Sequence, residues 1–231
     1  MKLLIVASDP REFSGLLARS KGARPERLPV QWARSAKLGG HDLLLAANGV
    51  GATRAGAAVD AAARWFHPEA VISTGFCGAL DDSLAIADIV VADCVAGDGR
   101  RYPAMPVTGP PFHSGTVCSI DHVARTAEEK YRLHSSSGAC AGEMEAAGVA
   151  SRAGALGLPF YCVKAVTDLA GETMANDFNL ALRNNGHFDT IFLLGRALRR
   201  PTVCLPELLR LRKRSIRAAR TLGDFFADCR L

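Results

Sequence analysis

The chain has 231 residues, 48% of them hydrophobic and 22% charged, with 28 Lys and Arg against 23 Asp and Glu. At about 100–200 residues per domain, this favours one large core that needs no covalent staple. No apolar run approaches the roughly 18 residues of a membrane span; seven cysteines without a C-x-x-C pair argue against a disulfide framework or zinc ribbon, and 6% aromatics disfavour a nucleic-acid stacking platform.

The net charge of +5 is unevenly placed. Nine Lys/Arg and three Asp/Glu fall between Ala197 and Leu231, so the preceding residues carry 19 basic and 20 acidic side chains, a net of −1. The body is neutral, and no nucleic-acid partner is expected. Met1–Ala7 has no signal-peptide h-region, and unpaired thiols fit a cytoplasmic protein.

In chain order, Lys2–Ala7 reads as a buried strand and Leu43–Ala47 as the next, ending at the turn Asn48-Gly-Val-Gly51. Thr53–Phe66 has helical composition and is stopped by His67-Pro68. Ala70–Ser73 is a strand closed by Gly75-Phe-Cys-Gly78, and Ile89–Ala92 is another. Val95–Ser114, with four prolines and three glycines, is expected to be a surface loop. Gly142–Leu156 reads as an Ala-rich helix opened by Glu143 and Glu145, and Phe160–Val166 as a strand ending near Asp168. Strands without polar alternation imply a sheet covered on both faces by helices, hence an α/β fold. Leu205–Asp228 reads as a basic amphipathic helix, so a domain over residues 1–199 and a helical tail over 200–231 are expected.

Ligands of open α/β sheets collect at the carboxyl ends of strands. Asp168, Ser73, Asp9 and Glu12 fall at such places. Each also has a structural reading: an Asp after a strand caps a turn, and a Glu in a first helical turn complements the dipole. Asn48–Gly51 carries only part of a dinucleotide fingerprint, lacking its third glycine and downstream acid, so no nicotinamide cofactor is expected.

The order Asn48-Gly-Val-Gly51, Ser73-Thr-Gly-Phe-Cys-Gly78, Gly142-Glu-Met-Glu-Ala-Ala147 and Ala165-Val-Thr-Asp168 is more specific. Over Met1 to about Arg199 it resembles the nucleoside phosphorylase/nucleosidase family, in the style of the methylthioadenosine/S-adenosylhomocysteine nucleosidases. The resemblance implies a single-domain, three-layer α/β/α sandwich around a mixed, partly barrel-like sheet, assembled as a homo-oligomer. It implies cleavage of the C1′–N bond of a purine nucleoside without cofactor or metal. Asp168 matches the acid that protonates or hydrogen-bonds the purine N7. Glu145 matches the carboxylate on the ribose hydroxyls, with Glu143 beside it, and Met144 the thioether packed on the ribose. Glu12 falls where the nucleosidases keep the carboxylate that activates water, although Asp9-Pro10-Arg11 replaces an acidic run and leaves Asp9 as the alternative. Val123 stands where the family stacks an aromatic on the base.

Where the phosphorylase branch carries an arginine and a hydroxyl residue for phosphate, this chain has Ser73, Gly75 and Phe76 in the turn. Losing a bidentate anion grip favours water over inorganic phosphate as co-substrate. Leu198-Arg-Arg-Pro201 and Leu205–Leu211 resemble the ending of the hopanoid-associated phosphorylase group, which implies adenosylhopane as a substrate. The basic helix then has two readings: docking on protein, or peripheral contact with a membrane. A non-catalytic nucleoside-binding scaffold of the same fold is the competing class.

Overall fold

The Val, Ile and Leu runs form the centre of one sheet, as their burial on both faces requires. A computed structural model describes residues 1–231. Strand β1 (Lys2–Ala7) lies between the parallel strands β4 (His41–Ala47) and β5 (Ala70–Ser73). Strand β3 (Trp32–Leu38) extends that edge antiparallel to β4, and β2 (Lys21–Pro25) pairs antiparallel to β3. On the other side, β11 (Phe160–Asp168) pairs first with β5 and then with β6 (Phe76–Ala79). The sheet continues through β10 (Ala141–Glu143), β9 (His113–Ser119), β7 (Ile89–Gly97) and β8 (Arg100–Pro103). Because β7 also pairs with β11, the strands β11, β6, β10, β9 and β7 close into a ring. Half of the sheet is therefore open and half is a small barrel.

Two helices cover each face. Helices α2 (Ala52–Phe66) and α4 (Ala146–Ala155) pack Ala55, Ala58, Val59 and Ala62 with Ala147, Val149 and Ala150 on one side. Helices α1 (Ser14–Arg19) and α6 (Pro201–Asp228) place Leu16, Ala218, Leu222, Phe225 and Phe226 on the other. The shorter helices α3 (Ala127–Ser137) and α5 (Thr190–Ala197) complete the three-layer sandwich. No helix is long and apolar enough to cross a membrane.

Three sequence expectations change. Val95–Ser114 is mostly ordered: β7 runs to Gly97 and turns at Asp98-Gly99 into β8. Both turn residues have positive φ, 52° and 69°, the geometry a two-residue hairpin prefers, so its glycines mark a tight turn rather than a loop. Gly142 and Glu143 pair as a strand, and the following helix begins at Ala146 with Glu145 as its N-cap. Helix α6 starts at Pro201, where a proline at N1 gives up no hydrogen bond.

The inner half of α6 is built into the body. It crosses α1 so closely that a Cβ on Gly223 would lie 2.1 Å from the Gly15 carbonyl carbon. Its Glu207 accepts the backbone N–H of Ala175 and Asn176, at 2.8 Å each, and Arg214 forms a two-pronged pair with Glu172. The Arg214 hydrogen bonds hold Glu172 down at about 2. The loop after Asp168 is thereby tied to α6. Gly223→Ala is expected to lower stability by about 1–3 kcal/mol in urea unfolding, the usual range for overpacking a tight contact.

Candidate active site

Lys164 is fully buried on β11 and cannot lie there uncompensated. Its Nζ donates to the Thr74 carbonyl at 2.9 Å and sits 2.7 Å from Oε2 of Glu143. Burial disfavours its charge, but Glu143 outweighs that and raises its pKa above the ordinary lysine value. The Glu143 carboxylate also accepts the N–H groups of Glu145 and Ala146 at 2.9–3.0 Å, at the positive end of α4. Glu143 is thus consumed by the scaffold.

One neighbour is less saturated. Glu145 is buried with one hydrogen-bond partner, the Gly51 N–H at 3.1 Å. Burial, reinforced by the charge of Glu143, pushes its pKa up to about 8. Glu12 sits in the short 3₁₀ turn Pro10–Phe13 after β1. Its Oε2 accepts the N–H groups of Ser8 and Asp9 and the Ser8 hydroxyl, each at 2.9 Å, while Oε1 accepts the Phe76 N–H at 2.8 Å. Burial raises its pKa even so, with Lys164 opposing. Asp9 does different work: it caps the turn, accepting from the Arg11 backbone, and pairs with the Arg11 side chain. Of the two acids after β1, Glu12 is the one that enters the cavity.

Asp168 ends β11 just past a bulge between Val166 and Asp168. Such an extra residue re-aims a side chain. Its Oδ2 lies 2.5 Å from Nζ of Lys130, a lysine 1% exposed on α3 that also donates to the Leu169 carbonyl at 2.7 Å. The Thr167 hydroxyl is 3.2 Å from Oδ1. Burial raises the Asp168 pKa and Lys130 restrains the rise.

Glu12, Glu143, Met144, Glu145, Val123, Phe76 and Asp168 all line one cavity of about 260 Å³. Ser73 and Gly75 do not. The Ser73 side chain is wholly buried with its hydroxyl unpartnered. Gly75 lies behind Glu12, where a Cβ would come within 2.5 Å of Oε1 and where φ is 116°. Sequence reasoning missed Lys130, which stands in a charged helical stretch with nothing to set it apart. It also missed Phe178 and Phe188, which line the cavity edge to face at 5.8 Å, and Met174 and Leu211. Phe178 and Phe188 bring to the cavity an aromatic surface that Val123 lacks.

The family model described as the phosphorylase superfamily matches residues 2–107 and 104–188. The chain belongs to the phosphorylase superfamily. It is 30% identical over 158 residues to a 5′-methylthioadenosine/S-adenosylhomocysteine nucleosidase of Staphylococcus saprophyticus, covering 56% of this chain and 69% of that one. A nucleosidase of the same name from Mycobacterium bovis is 25% identical over 225 residues, covering 76% and 88%. Among solved structures, the S-adenosylhomocysteine nucleosidase of Streptococcus pyogenes superposes with a TM-score of 0.69 at 22% identity, covering 97% of each chain. The futalosine hydrolase of Helicobacter pylori gives 0.72 at 17%, covering 97% and 95%. These last two likenesses share the fold.

In this phosphorylase-superfamily chain, no arginine lines the cavity. Arg11 is exposed and held by Asp9, and Arg54 lies in a neighbouring recess, donating to the Asn184 carbonyl. The lining cations are Lys130, committed to Asp168, and His122, held between Asp121 and Glu129 at 2.6 Å each. The hydrogen bond to Asp121 leads in raising the His122 pKa. The cavity therefore offers carboxylates in excess and no free cation for an anion.

The raised Glu145 has a consequence for stability. Between its ordinary value of 4.5 and about 8, the folded protein holds a proton that the unfolded chain releases. Stability must then fall as pH rises through that window, and the elevated Glu12 and Asp168 act in the same sense. Glu145→Gln is expected to flatten the fall by an amount on the order of a few kcal/mol, measured by urea unfolding from about pH 5 to pH 8.

Proposed function

We propose that the chain is a nucleosidase that hydrolyses the N-glycosidic bond of an adenine nucleoside and releases adenine. The observation that carries this reading is the convergence of Asp168, Glu145 and Glu12 on one cavity with no unpaired cation. Water attacks the sugar C1′ while the bond to the base breaks. Glu12 takes a proton from the water, and burial makes it a stronger base than an ordinary carboxylate. Asp168 donates a proton to the departing purine at N7, and burial favours its protonated form. Glu145 binds the ribose hydroxyls. A sugar that becomes cationic in the transition state gains from the surrounding carboxylates more than the neutral substrate does.

Met144 packs on the ribose, and Val123 with Phe178 borders the base. On the 5′ side, Phe188, Met174 and Leu211 make an apolar wall. It suits a substrate with an apolar 5′ group: methylthioadenosine, one of the two nucleosides named for the relatives, or adenosylhopane, which the tail resemblance implies; in adenosylhomocysteine only the thioether stem would meet this wall. Phosphorolysis is disfavoured because phosphate would enter a cavity of three acids without an arginine. A pure binding scaffold would have no use for three carboxylates with raised pKa values facing one ligand. The reading includes a homo-oligomeric, cofactor-free, cytoplasmic enzyme that touches a membrane surface through its basic helix; its seven unpaired thiols support a reducing compartment.

Purified protein is expected to release adenine from at least one of these nucleosides at a rate unchanged by added phosphate. Asp168→Asn should lower kcat by roughly 10²–10⁴, the usual share of general acid catalysis. Absence of adenine release, or a strict phosphate requirement, refutes the hydrolytic reading.

Lys130 gives a sharper test. Its positive charge restrains the Asp168 pKa, so Lys130→Met should let that pKa rise. The alkaline limb of kcat then moves to higher pH, with the maximal rate down by more than about tenfold from lost positioning. Lys130→Arg should keep the wild-type profile.

A further inference from the structure

Helix α5 turns its apolar stripe the wrong way for a core. Ile191, Leu194 and Leu198 follow the i, i+3, i+7 spacing of one helical face and are 83%, 46% and 66% exposed. The contacting helix α6 adds Leu209 and Ile216, also more than half exposed. Around them lie Arg199, Arg200, Arg212, Lys213, Arg217 and Arg220, all exposed and none within ion-pair distance of a carboxylate. Most acids of this region are engaged elsewhere, Asp189 with Arg183, Glu207 with Asn176, and Asp224 with Arg19; Asp228, exposed at the far end of α6, is the unpaired one.

The geometry points to this α5–α6 face as a docking surface for an anionic lipid bilayer, with the leucines and isoleucine in the headgroup boundary and the arginines on the phosphates. A second copy of the chain fits poorly. A two-fold interface apposes a patch with itself, and here that brings the same unpaired arginines face to face. Nucleic acid would use the charges and leave the aliphatic stripe unused, with no exposed aromatic on either helix to stack on bases. A bilayer uses both.

The position adds a reason that rests on the proposed nucleoside site. The inner side of the same segment builds that site: Phe188, just before α5, and Leu211 of α6 line the cavity. An apolar 5′ group held against Phe188 and Leu211 is thus bound by the same helices that would meet the bilayer, which suits a substrate drawn from lipid.

The test measures vesicle binding and catalysis separately. Full-length protein is centrifuged with vesicles of phosphatidylcholine alone and with vesicles containing phosphatidylglycerol, at low and high salt. Ile191→Asp with Leu198→Asp and the charge variant Arg199→Glu with Arg200→Glu are compared with wild type. Binding to the anionic vesicles alone, weakened by salt and lowered about tenfold or more by either pair, supports the proposal. Adenine release from soluble methylthioadenosine should be unchanged in both, because none of the four residues lines the cavity. Equal sedimentation of wild type and variants overturns it. So does a dimer in light scattering that the Ile191 and Leu198 changes dissociate, which would make the face a contact between copies. Salt-sensitive RNA binding without vesicle binding overturns it too. No adenine release by wild type from methylthioadenosine, adenosylhomocysteine or adenosylhopane would refute the nucleosidase reading and leave the vesicle result standing.

Discussion

A buried lysine surrounded by carboxylates sets the electrical state of the cavity. Lys164 neutralises Glu143, and Glu143 in turn caps the start of α4. Glu145 and Glu12 share the same enclosure with no cation of their own. Their pKa values rise because water is excluded, and for Glu145 because Glu143 is already charged. An interior with acids in excess is costly until something positive occupies it. In the proposed reaction, a sugar losing its base supplies that positive charge only as the bond breaks, so the stabilisation arrives where a catalyst needs it.

One strand distributes these parts. β11 carries Lys164 and Asp168 four residues apart and is hydrogen-bonded to β5, β6 and β7. It is the seam at which the open sheet meets the barrel. The bulge before Asp168 lets the strand end with its last carboxylate turned toward Lys130 while Lys164 stays in the core. Glu12 arrives from the β1 end and Glu145 from the start of α4, so three separate chain segments meet at the seam.

Much of this was readable from residues. The apolar runs of β1, β4, β5 and β11 declared themselves because both faces of each are covered. The Gly142–Ala147 and Ala165–Asp168 segments placed two of the three acids. Edge strands were harder: β3 carries Arg34 and Lys37 between half-buried positions, and β8 is almost wholly exposed. Their pairing is set by neighbours, which a sequence pattern does not show. Lys130 was invisible for a related reason. It sits in Glu128-Glu129-Lys130-Tyr131-Arg132, which reads as a solvated face, and only its contact with Asp168 reveals it. The net charge likewise located a basic end. It could not show that the inner half of that end, through Leu222, Phe225 and Phe226, belongs to the core.

That last feature bears on how the protein is made. Helix α6 leaves the ribosome after every strand, yet its Leu211 and Ser215 form part of the cavity wall, and its Glu207 and Arg214 fasten the loop behind Asp168. Strands and earlier helices can collapse as they emerge. The chemistry cannot be assembled then, because one wall has not been synthesised. Translation that stops before residue 201 would yield a chain with every acid of the site and one side of the cavity, at Leu211 and Ser215, left open. The proposed site is thereby complete only once α6 has been added to the body.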